Sequence, residues 1–147
     1  MSNHLINDTN FTQSYYMSDI QLFIMNYKPE SKHMTNEDFK EYILHLKTLT
    51  NQYKPSFILD DSRKRGFILE PEMQDWVVAE LVPGWINFEL QKYAQVLAED
   101  LFSNISGQQI VEVARKIPGM FETKFFDKPQ DAATWFEIQV ELPASVV

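Results

Sequence analysis

The chain has 147 residues, 44 % hydrophobic and 23 % charged, which suits one globular domain and excludes a disordered chain. It has no cysteine, which excludes disulfides, thiolate metal sites and cysteine nucleophiles, and the cytoplasm is the expected compartment. Acidic residues outnumber Lys plus Arg by 21 to 13, a net charge of −8 that repels nucleic acid, and no stretch approaches the ~20 apolar residues of a membrane span.

In chain order, residues 1–10 read as a loose start, 11–142 as one domain and 143–147 as a tail. Phe11 to Tyr16 and Ile20 to Tyr27 are rich in aromatic and β-branched residues, and Met17-Ser18-Asp19 between them is short enough for a hairpin. Within the second run Ile20, Leu22 and Ile24 point one way while Phe23, Met25 and Tyr27 point the other. Thr35 then has the chemistry of a helix N-cap, with Asn36, Glu37 and Asp38 at the positive end of the dipole. Phe39, Tyr42, Ile43, Leu46 and Leu49 follow at helical spacing, up to a stop near Tyr53 before Lys54-Pro55.

Phe57-Ile58-Leu59, ending in Asp60-Asp61, has the pattern of a strand buried on both faces. Pro71 opens a second helix with Met73, Trp76, Val77 and Leu81 facing inward, and Pro83-Gly84 predicts its end. Tyr93 to Leu97 reads as a strand. Ser106 with Gln109 predicts a capping box for a helix carrying Ile110, Val113, Ala114 and Ile117. Glu122 to Phe126 reads as the last strand, and Pro129 opens a final helix with Ala132, Trp135 and Phe136 inside. The expected fold is therefore α/β: a mixed sheet that begins with an antiparallel hairpin and continues in βα units, with helices packed on it.

Four segments carry a family resemblance: Phe57-Ile58-Leu59-Asp60-Asp61, Pro71-Glu72-Met73-Gln74-Asp75-Trp76, Tyr93-Ala94-Gln95-Val96, and Phe126-Asp127 followed by Ala132 and Trp135-Phe136. From about Tyr15 to Phe136 the chain resembles the SpoIIAA-like group of STAS-related proteins, small bacterial domains of unassigned function. The resemblance implies a STAS-like regulatory module. In regulated members of the wider family a serine near the end of a buried strand is phosphorylated, and Ser62 is its counterpart here. Eight residues, Arg63 to Glu70, separate Ser62 from Pro71, and Arg63-Lys64-Arg65 stand where the family has a Ser-Gly pair. A related resemblance, to CRAL-TRIO-type binders, implies an opening for an apolar ligand between helices and sheet.

Asp60 and Asp61 at a strand end could serve as oxygen ligands for a divalent cation, or as turn chemistry paired with Arg63 or Arg65. Neighbouring strand residues point to opposite faces, which argues against convergence of the two carboxylates. The histidines (His4, His33, His45) have no metal-site spacing, no Gly-x-Ser-x-Gly positions a serine, and the four glycines never cluster into a phosphate loop. No cofactor is expected. Three functions follow, in order. The first is a non-enzymatic regulatory or protein-interaction module whose contact face is the loop Asp61 to Glu70 and the helix from Pro71, serving a partner protein or a second copy. Next comes a carrier or sensor of a small apolar ligand, with Phe67, Ile68, Leu69 and Trp85 lining the opening. Last is a metal-dependent hydrolase using Asp60 and Asp61.

Overall fold

Nearly unbroken apolar runs at residues 22–27 and 57–59 call for a sheet covered on both sides, and that is the architecture found. The computed structural model describes residues 4–147. The elements are β1 (Leu5–Asp8), β2 (Thr12–Met17), β3 (Leu22–Tyr27), α1 (Asn36–Tyr53), β4 (Phe57–Asp61), α2 (Pro71–Asn87), β5 (Lys92–Val96), α3 (Leu101–Arg115), β6 (Glu122–Phe126) and α4 (Pro129–Phe136). Short 3-10 turns occupy Pro29–His33 and Ala144–Val146.

The six strands lie side by side in sequence order. β1–β2–β3 pair antiparallel, and β3 to β6 run parallel. Each parallel crossover steps one strand further in the same direction, so its right-handed hand puts α1, α2 and α3 on one face. There Phe23, Met25, Ile58 and Tyr93 meet Phe39, Leu46, Leu81 and Trp85. On the opposite face Leu22, Ile24, Leu59 and Ala94 pack under α4 through Ala132 and Phe136. Burying each large side chain of this kind contributes about 1.5–3 kcal/mol.

The Thr35 cap is a complete capping box: its hydroxyl accepts from the Asp38 N–H, and the Asp38 carboxylate accepts from the Thr35 N–H. Four sequence expectations are corrected. Residues 1–10 do not form only a loose start, because Leu5–Asp8 is an edge strand, with the Tyr16 N–H donating to the His4 carbonyl at 2.8 Å. Its side chains are at most half-buried, so no hydrophobic period marks it. Residues 143–147 are no free tail either. Eight-residue α4 leaves part of its face uncovered; Leu142 and a fully buried Val146 complete the layer, with the Ser145 hydroxyl 2.9 Å from that of Tyr15.

Helix α2 runs through Pro83-Gly84 to Asn87. Pro83 and Ala79, whose carbonyl loses its partner to the ring, are both exposed, so water can replace that bond. Gly84 serves close packing instead: a Cβ there would stand 2.9 Å from the Asn51 Oδ1 on α1. Finally, α3 begins at Leu101, not at Ser106. Its cap is Asp100, whose carboxylate accepts from the Ser103 N–H at 2.8 Å and is held below its ordinary pKa first by that bond.

Candidate functional site

Because β4 alternates, Asp60 and Asp61 leave the strand on opposite faces, and their surroundings differ completely. Asp61 meets Arg63 in a two-pronged ion pair, Nε to Oδ1 at 2.9 Å and Nη2 to Oδ2 at 2.8 Å. That contact raises the Arg63 pKa, and Arg63 Nη1 also reaches the Val147 carbonyl at 3.3 Å. This is a closed structural unit. The two carboxylates do not converge, and among the described residues no three His, Asp or Glu side chains gather as a metal site.

Asp60 points toward α1–α3 into a polar cluster enclosed by the core. Its Oδ1 accepts from the Ser62 hydroxyl at 2.8 Å and its Oδ2 from the Tyr93 hydroxyl. Burial pushes the Asp60 carboxyl up, opposed by Tyr93, by the Arg65 charge and by Ser62. Burial also lifts the Tyr27, Tyr42 and Tyr93 phenols, so all three stay neutral. Ser62 stands where the sequence places it, just past the strand, but it is fully buried with its hydroxyl turned inward. In the folded state a kinase cannot reach it.

Arg65 is the unexpected member. The sequence suggests an exposed residue of a contact loop, yet it is 3 % exposed. The loop beyond β4 is drawn down onto its neighbours: Ser62 N–H donates to the Val96 carbonyl at 3.2 Å, Ser31 Oγ donates to the Lys64 carbonyl at 3.1 Å, and Gly66 lies against Lys32. Arg65 therefore turns inward. Its guanidinium lies over the Tyr27 and Phe67 rings and donates through Nη2 to the Ser103 carbonyl. Among the described residues no carboxylate lies within ion-pair distance of it, and its Nε–H has no partner. Gln95, two residues from Tyr93 on the same strand face, is equally buried, with its amide 3.2 Å from the Tyr93 oxygen; because the one Tyr93 proton goes to Asp60, the amide NH2 donates there.

Arg65, Gln95, Asp60 and Tyr93 form the polar end of a cavity of about 60 Å³ between the sheet and α1–α3. The rest of its wall is mostly apolar and includes Leu81, Trp85, Val111 and Phe121. Trp85 was expected in a connecting segment; it sits inside α2, anchored by its indole N–H to the Thr50 hydroxyl at 2.9 Å. Phe67 is half-buried and packs edge-on to Phe39 at 5.2 Å between ring centres. Leu69 is buried as well, and only Ile68 of that run is exposed.

Four of the seven large apolar side chains exposed among the described residues gather at one place: Ile68, Leu101, Phe102 and Ile105. The last three occupy the first turns of α3 at neighbouring helical positions. Two bonds hold the Ile68 loop against that helix, Ser103 Oγ to the Phe67 carbonyl at 2.7 Å and Leu69 N–H to Ser106 Oγ at 3.3 Å.

Sequence reasoning missed Gln95, Tyr93, Gly107 and the start of α3. Two signals were present: Tyr93 and Gln95 share a strand face, and Gly107 is a glycine inside a helix. A Cβ at Gly107 would stand 2.5 Å from Arg65 Nη2 and 2.7 Å from the Gln95 amide, so the glycine makes room for both side chains. The sheet order has no reversal, so it provides no switch-point crevice at the strand ends; the space lies under the helices instead. Comparison with family models, curated proteins and solved structures found no match for the chain.

Proposed function

We propose that this chain is a non-enzymatic, STAS-like regulatory module that works in the cytoplasm by docking a partner protein. The clustering of Ile68, Leu101, Phe102 and Ile105 around the β4–α2 loop carries the reading, because scattered exposed apolar residues need no explanation whereas a contiguous group does. The contact face is smaller than the sequence implies. Its exposed part is Lys64, Gly66, Ile68 and Glu70 with the first turns of α3, while Ser62 and Arg65 lie buried in the same segment and Asp61 turns to the opposite face of the sheet. Glu70, Glu99 and Asp100 are exposed on these same segments of a chain with net charge −8, so the fitting partner surface is apolar with a basic rim.

The test is patch-dependent capture from native-cell lysate. Wild type and Leu44→Ser, altered at an exposed leucine on α1, should retain the same partner, and Phe102→Ser and Ile105→Ser should lose it. Equal capture by all four proteins, or none by any, would refute the reading. A dimer in native mass spectrometry that Phe102→Ser dissociates would give the patch to a second copy instead.

The cavity beside Trp85 favours a second reading, a carrier or sensor of a small apolar ligand. At about 60 Å³ it falls short of the several hundred cubic ångströms of a drug-sized pocket, which limits the guest to a few heavy atoms.

A further inference from the structure

Where α1 packs beside the edge hairpin it leaves a groove of about 350 Å³, bounded by the β1–β2 turn on one side and by the first half of the helix on the other. That volume lies within the range of roughly 300–1,000 Å³ typical of small-molecule sites, which the cavity beside Trp85 does not reach. Both walls are fixed by their own bonds. The Thr9 hydroxyl accepts from the Phe11 and Thr12 N–H groups at 3.2 and 3.0 Å, and the Thr35–Asp38 capping box holds the start of the helix. The floor is apolar: Tyr42 is buried, and Phe11 and Met34 are half-buried. Above it stand Asp38 and Glu41, three positions apart on one helix face. Asp38 uses Oδ2 for the cap and has Oδ1 to spare, while Glu41 makes no hydrogen bond or ion pair among the described residues. No lysine or arginine lines the groove. Lys28, on the hairpin side, is tied to the Asp8 carboxylate at 2.8 Å and to the Thr9 carbonyl, and on α1 Lys40 lies over Trp76 and Lys47 pairs with Glu80. An apolar floor under two carboxylates with no counter-charge is complementary to a cation that carries an apolar body.

We propose that this groove binds a small organic ammonium, its apolar body seated on Phe11, Met34 and Tyr42 and its ammonium donating to Asp38 Oδ1 and Glu41. Size sets the class. An apolar cavity of roughly 150 Å³ holds a benzene, so a groove of 350 Å³ that is open on one side suits about ten non-hydrogen atoms. A lone lysine side chain from a partner protein would leave most of it empty, which points to a free small molecule. The carboxylates sit at a wet rim, where each contributes only a few-fold in affinity, and contact with the floor supplies the larger share. The site shares no residue with the docking patch, and neither depends on the other.

Titration of the nitrogen-labelled chain with phenethylamine at neutral pH and low salt, followed by proton–nitrogen correlation spectra, tests it. Saturable one-to-one shifts are expected at the amides of Asn10, Phe11, Glu41 and His45, with a Kd of about 0.1–3 mM for so few atoms. 2-Phenylethanol, of the same shape without the charge, should bind about fivefold more weakly, and 3-phenylpropionate should not bind. Glu41→Gln should weaken phenethylamine about threefold, whereas Glu37→Gln, on the same helix but outside the groove, should leave it unchanged. Both residues are exposed, so neither variant threatens the fold. Equal binding of phenethylamine and 2-phenylethanol would overturn the assignment of a cation. Equal losses from the two variants, or shifts that do not saturate and spread over other acidic surfaces, would reduce the effect to the general field of the chain and overturn the site.

Discussion

The two faces of the sheet treat consecutive aspartates in opposite ways. Under α4, Asp61 is closed off by Arg63, and around it Leu59, Ala94 and Val146 are packed with no exposure. Under α1–α3, Asp60 shares a cavity with Gln95 and with Arg65, whose Nε–H has no partner. A charge satisfied within two residues of itself describes a structural part. A charge held deep in the fold that meets its carboxylate, Asp60, only beyond bonding distance describes a looser part. Position in the sequence does not separate the two aspartates; their surroundings do.

Variants can break or sharpen this contrast. The largest effect is expected from Leu59→Ala on the closed face, about 2–5 kcal/mol of lost stability in urea unfolding, because a fully buried leucine leaves a void its neighbours fill poorly. Ala94→Leu on the same face should cost about 1–3 kcal/mol by overpacking. Asp61→Asn should cost about 1–2 kcal/mol, discounted for the partial exposure of Arg63, and salt should affect the variant less than wild type.

On the cavity face the sign reverses. Val78→Ile adds a methylene beside the free space and should stabilise the chain by about 0.5–1 kcal/mol. Equal losses from Val78→Ile and Ala94→Leu would erase the difference between the faces. The smallest effect is a slope. Burial raises the Asp60 pKa in the folded state, so protonation favours folding: its contribution is present below the ordinary value of 3.8 and is lost as pH rises through the folded value. Thermal melts from pH 4 upward should show that decline in wild type, and Asp60→Asn should lack it.

Much of the scaffold was legible because its signals are local. The apolar runs at Leu22–Tyr27 and Phe57–Leu59 and the Thr35 cap depend on neighbours in sequence. The misses had other causes. Strand β1 is held by backbone bonds at a sheet edge, and the Ala144–Val146 turn is fixed by a face that α4 leaves open. Gly84 reads as a stop until α1 is seen beside it. The site was half legible: the end of β4 marked the position of Asp60 and Ser62, but the inward turn of Arg65 depends on Ser31, Lys32 and Val96, residues up to 34 positions away.

The most direct test of the contrast is a proton–nitrogen correlation spectrum of the labelled chain under rising xenon pressure, xenon being an apolar probe small enough for the cavity. Saturable shifts confined to the cavity face, at the amides of Val78, Val111 and Ala114, are the predicted result. Shifts centred on Leu59, Ala94 and Val146, or no saturable shifts on either face, would contradict the account.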